Sequence, residues 1–232
     1  MTSPVSGPAA VTPAGDEALR ACLDAGLARI APGLDDPARA TLLAYVGLLE
    51  RWNRAYSLTA VREPRAMIER HVLDSLAVLP YLHGARALDV GSGAGLPGLV
   101  LAVARPEPAW VLLDSKAKKH RFLTQACLEL GLGNVEPVRS RLEDFHPATP
   151  FSTIISRAFA GTAELLAKTR RMLEPGGRLL AMKGRFPERE LAELEAAGAG
   201  GEQRESVEVV PLSIPGLEHE ERHLVVVTVG QP

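Results

Sequence analysis

The chain has 232 residues, of which 46% are hydrophobic and 23% are charged, and its formal net charge is −2. These values are typical of one α/β domain with a modest extension, and they argue against a uniformly basic coat for nucleic acid. No stretch approaches the roughly 18 uninterrupted apolar residues of a membrane-spanning helix, so we expect a cytoplasmic protein that does not bind a membrane. Cys22 and Cys127 lie far apart and form no metal-binding cluster, which predicts free thiols and no metal site.

The first 84 residues are predicted to form a tail followed by helices. Residues 1–16 are rich in Pro, Gly, Ser and Ala and lack the basic start and apolar run of a signal peptide, which predicts a flexible tail. Apolar residues at three- and four-residue steps predict helices near residues 19–30 and 42–52, and "RAMIERHVLDSLAVLPYL" predicts a third. We therefore expect residues 17–84 to form a helical cap.

From residue 85 onward the pattern alternates between strands and helices. The predicted helices are "PGLVLAVA", "KAKKHRFLTQACLELG" and "TAELLAKTRRMLEPGG". The predicted strands are "RALDV", "AWVLLDS", "VEPVRS", "FSTIISRAF", "RLLAMKG", "SVEVVPLSI" and "RHLVVVTVG". This alternation predicts an α/β fold with a seven-stranded, mostly parallel sheet, helices on both faces and a closing antiparallel pair. Residues 85–232 would then form a core that makes one compact unit with the cap.

The stretch "ALDVGSGAGLPGLVLAVA" contains a glycine-rich turn that fits two cofactors. A G-x-G-x-x-G pattern begins at Gly93, and Asp114 follows at a distance suited to a ribose hydroxyl, which favours a nicotinamide or flavin dinucleotide. A D-x-G-x-G-x-G pattern begins at Asp89 and is typical of methyltransferases that use S-adenosylmethionine (SAM). A tight turn without a ligand is the third interpretation.

The residues in this turn and at the ends of the next strands have specific expected roles in binding a cofactor. Asp89 ends the first strand and is expected to receive the cationic amino group of SAM, directly or through water. The third glycine of the pattern, Gly95, would let the backbone pass close to the methionine chain, and Gly91 and Gly93 are also expected to bind the cofactor. Asp114 ends the second strand, where it can accept hydrogen bonds from both ribose hydroxyls or cap the following helix. After the third strand, backbone groups of Leu142 and Glu143 are placed to read the adenine edge, although Glu143 also fits a plain loop carboxylate.

The segment after the fourth strand restricts the chemistry. Methyltransferases that act on exocyclic amines commonly carry an N/D-P-P-Y/F turn there, whereas this chain has "SRAFAG" with Arg157 in place of the acid or amide. Pyrimidine C5 methylation needs a nucleophilic cysteine, and Cys22 and Cys127 fall in helices. Guanine N7 carries no proton, so its methylation depends on in-line placement more than on a general base. Arg157 would position cofactor or base, or form a surface ion pair.

Charge is distributed unevenly along the sequence. Residues 116–185 hold 13 Lys and Arg against 6 Asp and Glu, whereas residues 186–232 hold 3 against 10. Such asymmetry is typical of a face that binds a polyanion, and two ordinary solvated surfaces are the alternative. The RNA-binding candidates are Lys118, Arg121, Arg141, Lys183 and Arg185. His71, in "RHVLDSL", is more often a structural hydrogen-bonding group than a catalytic one.

Taken together, the motifs resemble those of the RsmG (GidB) family of bacterial 16S rRNA guanine-N7 methyltransferases. The matching stretches include "RWNRAYSLTAVREP", "RHVLDSLAVLPYL", "LDVGSGAGLPGLVLA", "LLDSKAKKHRFL", "NVEPVRSRLEDF", "ISRAFA", "LEPGGRLLAMKG" and "ERHLVVV". They run from the second helix to the last strand in the family's order. Ser57 is a departure, because the family usually has Asn before Leu-Thr.

The resemblance implies a class I, Rossmann-like SAM-dependent fold, with SAM as methyl donor. It implies that the substrate is the guanosine at position 527 in the 530 loop of 16S rRNA in the small ribosomal subunit, with no obligate protein partner. It also implies that Gly91, Leu96, the Leu142–Glu143 backbone and Arg157 line the cofactor site. Two other function classes stay open on the residues: a nicotinamide-dependent oxidoreductase, and a non-catalytic protein that binds RNA or the ribosome.

Overall fold

The computed structural model describes residues 13–157, 159, 161–196 and 205–230. The first α-helices within these residues are α1 (Pro13–Ile30), α2 (Asp36–Tyr56) and α3 (Pro64–Met67). The first begins inside the segment predicted to be a tail, and residues 1–12 of that segment lie outside the described residues. Helix α2 begins where Asp35 accepts a hydrogen bond at 2.9 Å from the backbone N–H of Ala38, which satisfies one of the free amides of the first turn.

The third predicted helix is helical but irregular. A π-helix (Ile68–Leu73) follows α3 directly, then come α4 (Asp74–Leu76) and a 3₁₀ turn (Leu79–Tyr81). Because a π-helix has a wider turn, its side chains point in directions different from those in an α-helix, and short π-helices are frequent at functional sites. Here it carries His71, and Asp74 follows at its end.

All seven predicted strands are present in one sheet. They are β1 (Arg86–Val90), β2 (Ala109–Leu113), β3 (Val135–Val138), β4 (Phe151–Ser156), β5 (Leu173–Lys183), β6 (Ser206–Pro211) and β7 (His223–Thr228). The order across the sheet is β3-β2-β1-β4-β5-β7-β6, and β7 runs in the direction opposite to the other six strands. This confirms the mostly parallel sheet and the antiparallel pair at the end of the chain. The connections reverse direction between β1 and β4, which is where ligands bind in open α/β sheets.

The remaining helices flank the sheet, and one boundary was predicted wrongly. They are α5 (Gly98–Ala104), α6 (Ala117–Leu130), α7 (Thr162–Thr169) and α8 (Glu188–Ala196), with a 3₁₀ turn (Arg170–Met172) after α7. The segment "LEPGG" was expected to end the helix, but β5 already begins at Leu173. Gly176, with φ of 78°, lies at the irregularity where the pairing of β4 with β5 shifts register. Glycine tolerates this backbone conformation, so the strand continues through it.

Two hydrophobic clusters cover the faces of the sheet. The larger contains Leu23, Leu27 and Leu49 from the helices before β1 together with Leu99 and Phe122 from the flanking helices. Since these side chains form one cluster, the helices before β1 pack on the sheet rather than standing apart. Among the residues that the structure describes, no helix combines the length and apolar character needed to cross a membrane.

Candidate functional site

A cavity of about 420 Å³ opens at the carboxyl ends of β1 and β2, a volume within the usual range for small-molecule sites. Its walls come from four connections that follow strands. The lining residues are Val90, Gly91, Leu113, Asp114, Ser115, Lys116, Ser140, Arg141, Leu142, Glu143, Ser156 and Phe159. We call it the first cavity. Four residues predicted to bind the cofactor, namely Gly91, Asp114, Leu142 and Glu143, meet there.

The glycine turn forms one wall because its backbone takes conformations that other residues rarely adopt. Gly91, Gly93 and Gly95 have φ of 75°, 56° and 84°. A Cβ placed on Gly91 would meet no protein atom within 4 Å, although Gly91 lines the first cavity. A side chain there would therefore project into the cavity. The absence of one leaves room for a ligand to lie directly against the backbone.

Asp89 lies beneath the turn. Its side chain is fully buried, Oδ2 accepts a hydrogen bond at 2.9 Å from the N–H of Gly98 at the start of α5, and Oδ1 has no partner in the described residues. Burial raises the pKa of this carboxyl to about 7. Asp89 thus holds the turn against α5, and its expected contact with a cofactor stays a prediction.

Asp114 has the capping role that the sequence allowed, and its expected contact with a ribose stays a prediction. Its Oδ2 accepts a hydrogen bond at 3.0 Å from the N–H of Gly93, and its Oδ1 accepts one at 2.8 Å from the N–H of Lys116, ahead of α6. The carboxylate also lines the first cavity. Because each carboxylate oxygen has a further lone pair, these bonds leave capacity for ligand hydroxyls. Asp114 therefore links the glycine turn to the connection after β2.

The loop after β3 contributes Leu142 and Glu143 to the first cavity, and the reading of an adenine edge by their backbone stays a prediction. Leu142 is 8% exposed and lines the first cavity. The Glu143 side chain forms an ion pair at 2.8 Å with Lys168 on α7, and this hydrogen bond lowers the pKa of the exposed glutamate. Its side chain is thus a surface carboxylate, and Glu143 also lines the first cavity. Leu96, which was also predicted to bind the cofactor, is buried in the larger hydrophobic cluster and is not among the residues that line the first cavity.

Arg157 faces a different cavity from the one expected. Ser156 lines the first cavity, but the next residue, Arg157, lines a second cavity of about 380 Å³ on the other side of the β4 end. Its Nη1 lies 3.3 Å from the Arg70 carbonyl oxygen and 3.8 Å from Asp74 Oδ2. The predicted contact of Arg157 with the cofactor is therefore not supported by its position, whereas a role beside the substrate is compatible with it.

His71 lies in the second cavity as a neutral, fully engaged side chain. Its Nδ1 lies 2.9 Å from the Arg70 carbonyl oxygen, which requires a proton on Nδ1, so Nε2 accepts from the Thr59 hydroxyl at 2.8 Å. Burial, with the positive charge of Arg157, lowers the pKa of His71 to about 4. With both ring nitrogens occupied, His71 fits the structural role that the sequence favoured.

The second cavity contains an ionic network that sequence reasoning missed. Asp74 is 4% exposed and lies between two arginines, with Arg222 Nε donating to its Oδ1 at 3.1 Å and Arg157 near its Oδ2. Arg222 also pairs with Glu220 at 2.9 Å. Asp74 and Arg222 are 148 positions apart, so no local pattern links them. The available signal was the charge of Asp74 within the otherwise apolar segment "VLDSLAVL".

The five predicted RNA-binding residues divide into three groups. Arg121 and Arg185 are exposed, and Arg141 is exposed while lining the first cavity. Lys118 Nζ donates to the Tyr56 carbonyl oxygen at 3.3 Å. Lys183 lines the second cavity, but its ammonium group pairs at 2.7 Å with Glu190 on α8. Lys183 is therefore neutralised in place.

The two cysteines lie in helices, as the sequence analysis expected. Cys22 and Cys127 are free, partly buried residues of α1 and α6, and burial raises the pKa of Cys127 to about 11. Such thiols are poor nucleophiles at neutral pH. In the portion of the chain that the structure covers, no group of three or more potential metal ligands is found.

Comparison with known proteins identifies the kind of protein to which this site belongs. The Alkalilimnicola ehrlichii protein named "Ribosomal RNA small subunit methyltransferase G" is 48% identical over 211 residues, covering 91% of this chain and 92% of that protein. The identically named protein of Nitrosococcus oceani is 50% identical over 203 residues, covering 88% and 92%. Among solved structures, a Bacillus cereus O-methyltransferase in complex with SAH is similar, with a TM-score of 0.61, 14% identity and coverage of 92% and 99%.

The structural likeness establishes the fold as that of class I SAM-dependent methyltransferases. The glycine pattern lies in the turn between β1 and α5 of this fold. Residues 38–225 match the family described as rRNA small subunit methyltransferase G. The chain belongs to this family, GidB.

Proposed function

We propose that this protein transfers a methyl group from SAM to N7 of the guanosine at position 527 of 16S rRNA, in the cytoplasm. The observation that carries the proposal is that two cavities border the end of β4. Consecutive residues, Ser156 and Arg157, line one cavity each. A cofactor in the first cavity and a base in the second would therefore lie on either side of a single short segment.

The first cavity fits SAM on the residues present. The Gly91 backbone leaves the wall open, the Asp114 carboxylate has lone pairs for ribose hydroxyls, and the backbone at Leu142 and Glu143 borders the same space. SAM, when bound, supplies an electrophilic methyl group. The contribution of the protein is to hold the cofactor in one orientation, and Asp114 fixes both the turn and the connection after β2.

The second cavity is suited to orienting a base rather than removing a proton from it. Both nitrogens of His71 are occupied, Asp74 is held between two arginines, and Lys183 is paired with Glu190. Guanine N7 has a free lone pair and no proton, so attack along the methyl–sulfur axis needs correct placement alone. Arg157 and Arg222 place N–H donors at the cavity wall. Such donors can form hydrogen bonds with the oxygen atoms of a base or of a phosphate.

The base has to leave its stack to enter this cavity, and the cost is a few kcal/mol. Contacts of exposed arginines such as Arg121, Arg141 and Arg185 with phosphates would provide affinity that weakens with salt. This assignment makes 16S rRNA, or the small subunit that contains it, the partner, without any obligate protein partner.

The test is methyl transfer to small subunits that lack the modification. Purified protein with radiolabelled SAM should label 16S rRNA, and cleavage chemistry specific for N7-methylguanosine should map the label to position 527. Arg157→Ala should lose labelling while it keeps SAM affinity and thermal stability. RNA binding without turnover on either naked rRNA or assembled subunits, or label at another atom, would overturn the proposal.

A further inference from the structure

Phe186 is an exposed aromatic side chain that pairs with a residue of the second cavity. It lies between β5 and α8 and is 50% exposed, one of two large apolar side chains so exposed in the described residues; the other is Leu128, 73% exposed. A single exposed apolar residue is common in soluble proteins. The position and support of Phe186 distinguish it from Leu128, which projects from α6.

The ring is braced by a residue of the cavity wall. The centroid of Phe186 lies 5.4 Å from that of His223, with the planes at 86°, an edge-to-face pair. His223 lines the second cavity, and its Nδ1 lies 3.0 Å from the carbonyl oxygen of Gly184. This contact ties the loop that carries Phe186 to the start of β7, so the aromatic pair has a fixed orientation.

An open groove extends from the second cavity past Phe186, because both are lined by Lys183 and Gly184. The groove also contains four glutamates, and their charges bear on which ligand it accepts. Three are paired with cations: Glu164 with Lys168 at 2.7 Å, Glu190 with Lys183 at 2.7 Å, and Glu193 with Arg189 at 2.9 Å.

The unpaired charges of the groove balance each other, and the arginines that can meet an anionic chain are Arg185 and those of the second cavity. Exposed Arg185 stands next to Phe186 in the groove, opposed by the fourth glutamate, Glu188. Beyond the groove, the second cavity adds Arg157 and Arg222 on its wall. An aromatic face between an arginine and an arginine-lined cavity is the arrangement that binds single-stranded nucleic acid, in which bases stack on rings and phosphates meet cations.

We propose that Phe186, braced by His223, stacks against a nucleobase that neighbours the target guanosine in the RNA. The inference rests on the proposed function, because a guanosine that enters the second cavity leaves its neighbour without a stacking partner. Phe186 replaces that partner. Stacking recognises the flat face that every base has, so Phe186 contributes affinity and placement rather than base identity.

The test compares Phe186→Ala with Phe186→Trp and with Leu128→Ala, the matched exposed control. For Phe186→Ala we expect kcat/KM for the small subunit to fall by about 5- to 150-fold, the range that corresponds to the loss of one stacked base. Phe186→Trp should restore most of it, and Leu128→Ala should stay within about twofold of the unchanged protein. SAM affinity and thermal stability should be the same in all three.

Two outcomes would overturn the inference while leaving methylation intact. One is Phe186→Ala with an unchanged kcat/KM. The other is a photo-crosslink from Phe186→p-benzoylphenylalanine that reaches a ribosomal protein and no nucleotide, because it would mean that Phe186 docks on protein. A crosslink to a nucleotide near the methylated guanosine supports the inference. If the unchanged protein methylates no rRNA, the proposed function fails first and the inference fails with it.

Discussion

Replacing Gly91 by alanine separates the role of this glycine in backbone geometry from its role in ligand binding. Gly91 has φ of 75°, and an added Cβ meets no protein atom within 4 Å. The left-handed conformation costs an L-residue about 1–2 kcal/mol, equivalent to a fall in Tm of about 2–8 °C for a chain of this length. The methyl group would occupy the first cavity, so we expect SAM affinity to fall by at least about tenfold.

Gly131→Ala is the control, because Gly131 has φ of 66° and equally open space, but lies at the end of α6. Both variants should lose similar stability in thermal denaturation, whereas calorimetric titration with SAM should detect weaker binding in Gly91→Ala alone. Equal SAM affinity in the two variants would refute the assignment of the open space at Gly91 to the ligand. A much larger loss of stability in Gly91→Ala would refute the geometric argument.

Three further predictions concern the surroundings of the two cavities. Asp74→Asn removes the carboxylate shared by Arg157 and Arg222. We therefore expect kcat/KM for the small subunit to fall by at least about tenfold, while the Kd of SAM changes less than twofold. A parallel loss of SAM affinity would argue against separate sites. Gly98→Ala places a Cβ 2.3 Å from Leu112 Cδ2 and 2.7 Å from Asp89 Oδ2, so urea unfolding should report a loss of about 1–3 kcal/mol, whereas Gly47→Ala, with open space, should lose none. The folded state keeps the pKa of His71 near 4, below its ordinary 6.5. The free energy of unfolding should therefore decline by up to about 3 kcal/mol as the pH falls from 6.5 towards 4. His71→Gln should flatten this part of the pH dependence, and an unchanged profile would count against the buried neutral imidazole.

The local parts of the fold were predictable because periodicity and turn residues encode them. All seven strands and the helices α1, α2, α5 and α6 follow from apolar spacing and from Gly and Pro punctuation. The π-turn was not predictable, since its apolar spacing is close to that of an α-helix. The start of β5 at Leu173 was missed because Pro-Gly-Gly normally ends an element, and here the register shift beside Gly176 accommodates it.

The candidate site was likewise predictable only where local sequence determines the position of a residue. Gly91, Asp114 and the loop at Leu142 follow strands directly, and parallel strands end at one edge of the sheet, so their meeting was predicted. The side to which Arg157 turns depends on Asp74 and on the carbonyl of Arg70, both contributed by the cap. Such contacts between distant segments have no local signature, and the second cavity was therefore not foreseen.

One hydrogen bond joins the cap to the ligand-binding turn. The hydroxyl of Tyr45, a buried residue of α2, donates at 2.8 Å to the carbonyl oxygen of Ala94. Without it that carbonyl would lose its donor in an apolar setting. A chimera that joins this sheet to another protein's helices must therefore bring its own donor to the same point. The helices before the sheet thus help to set the shape of a loop that lies outside them.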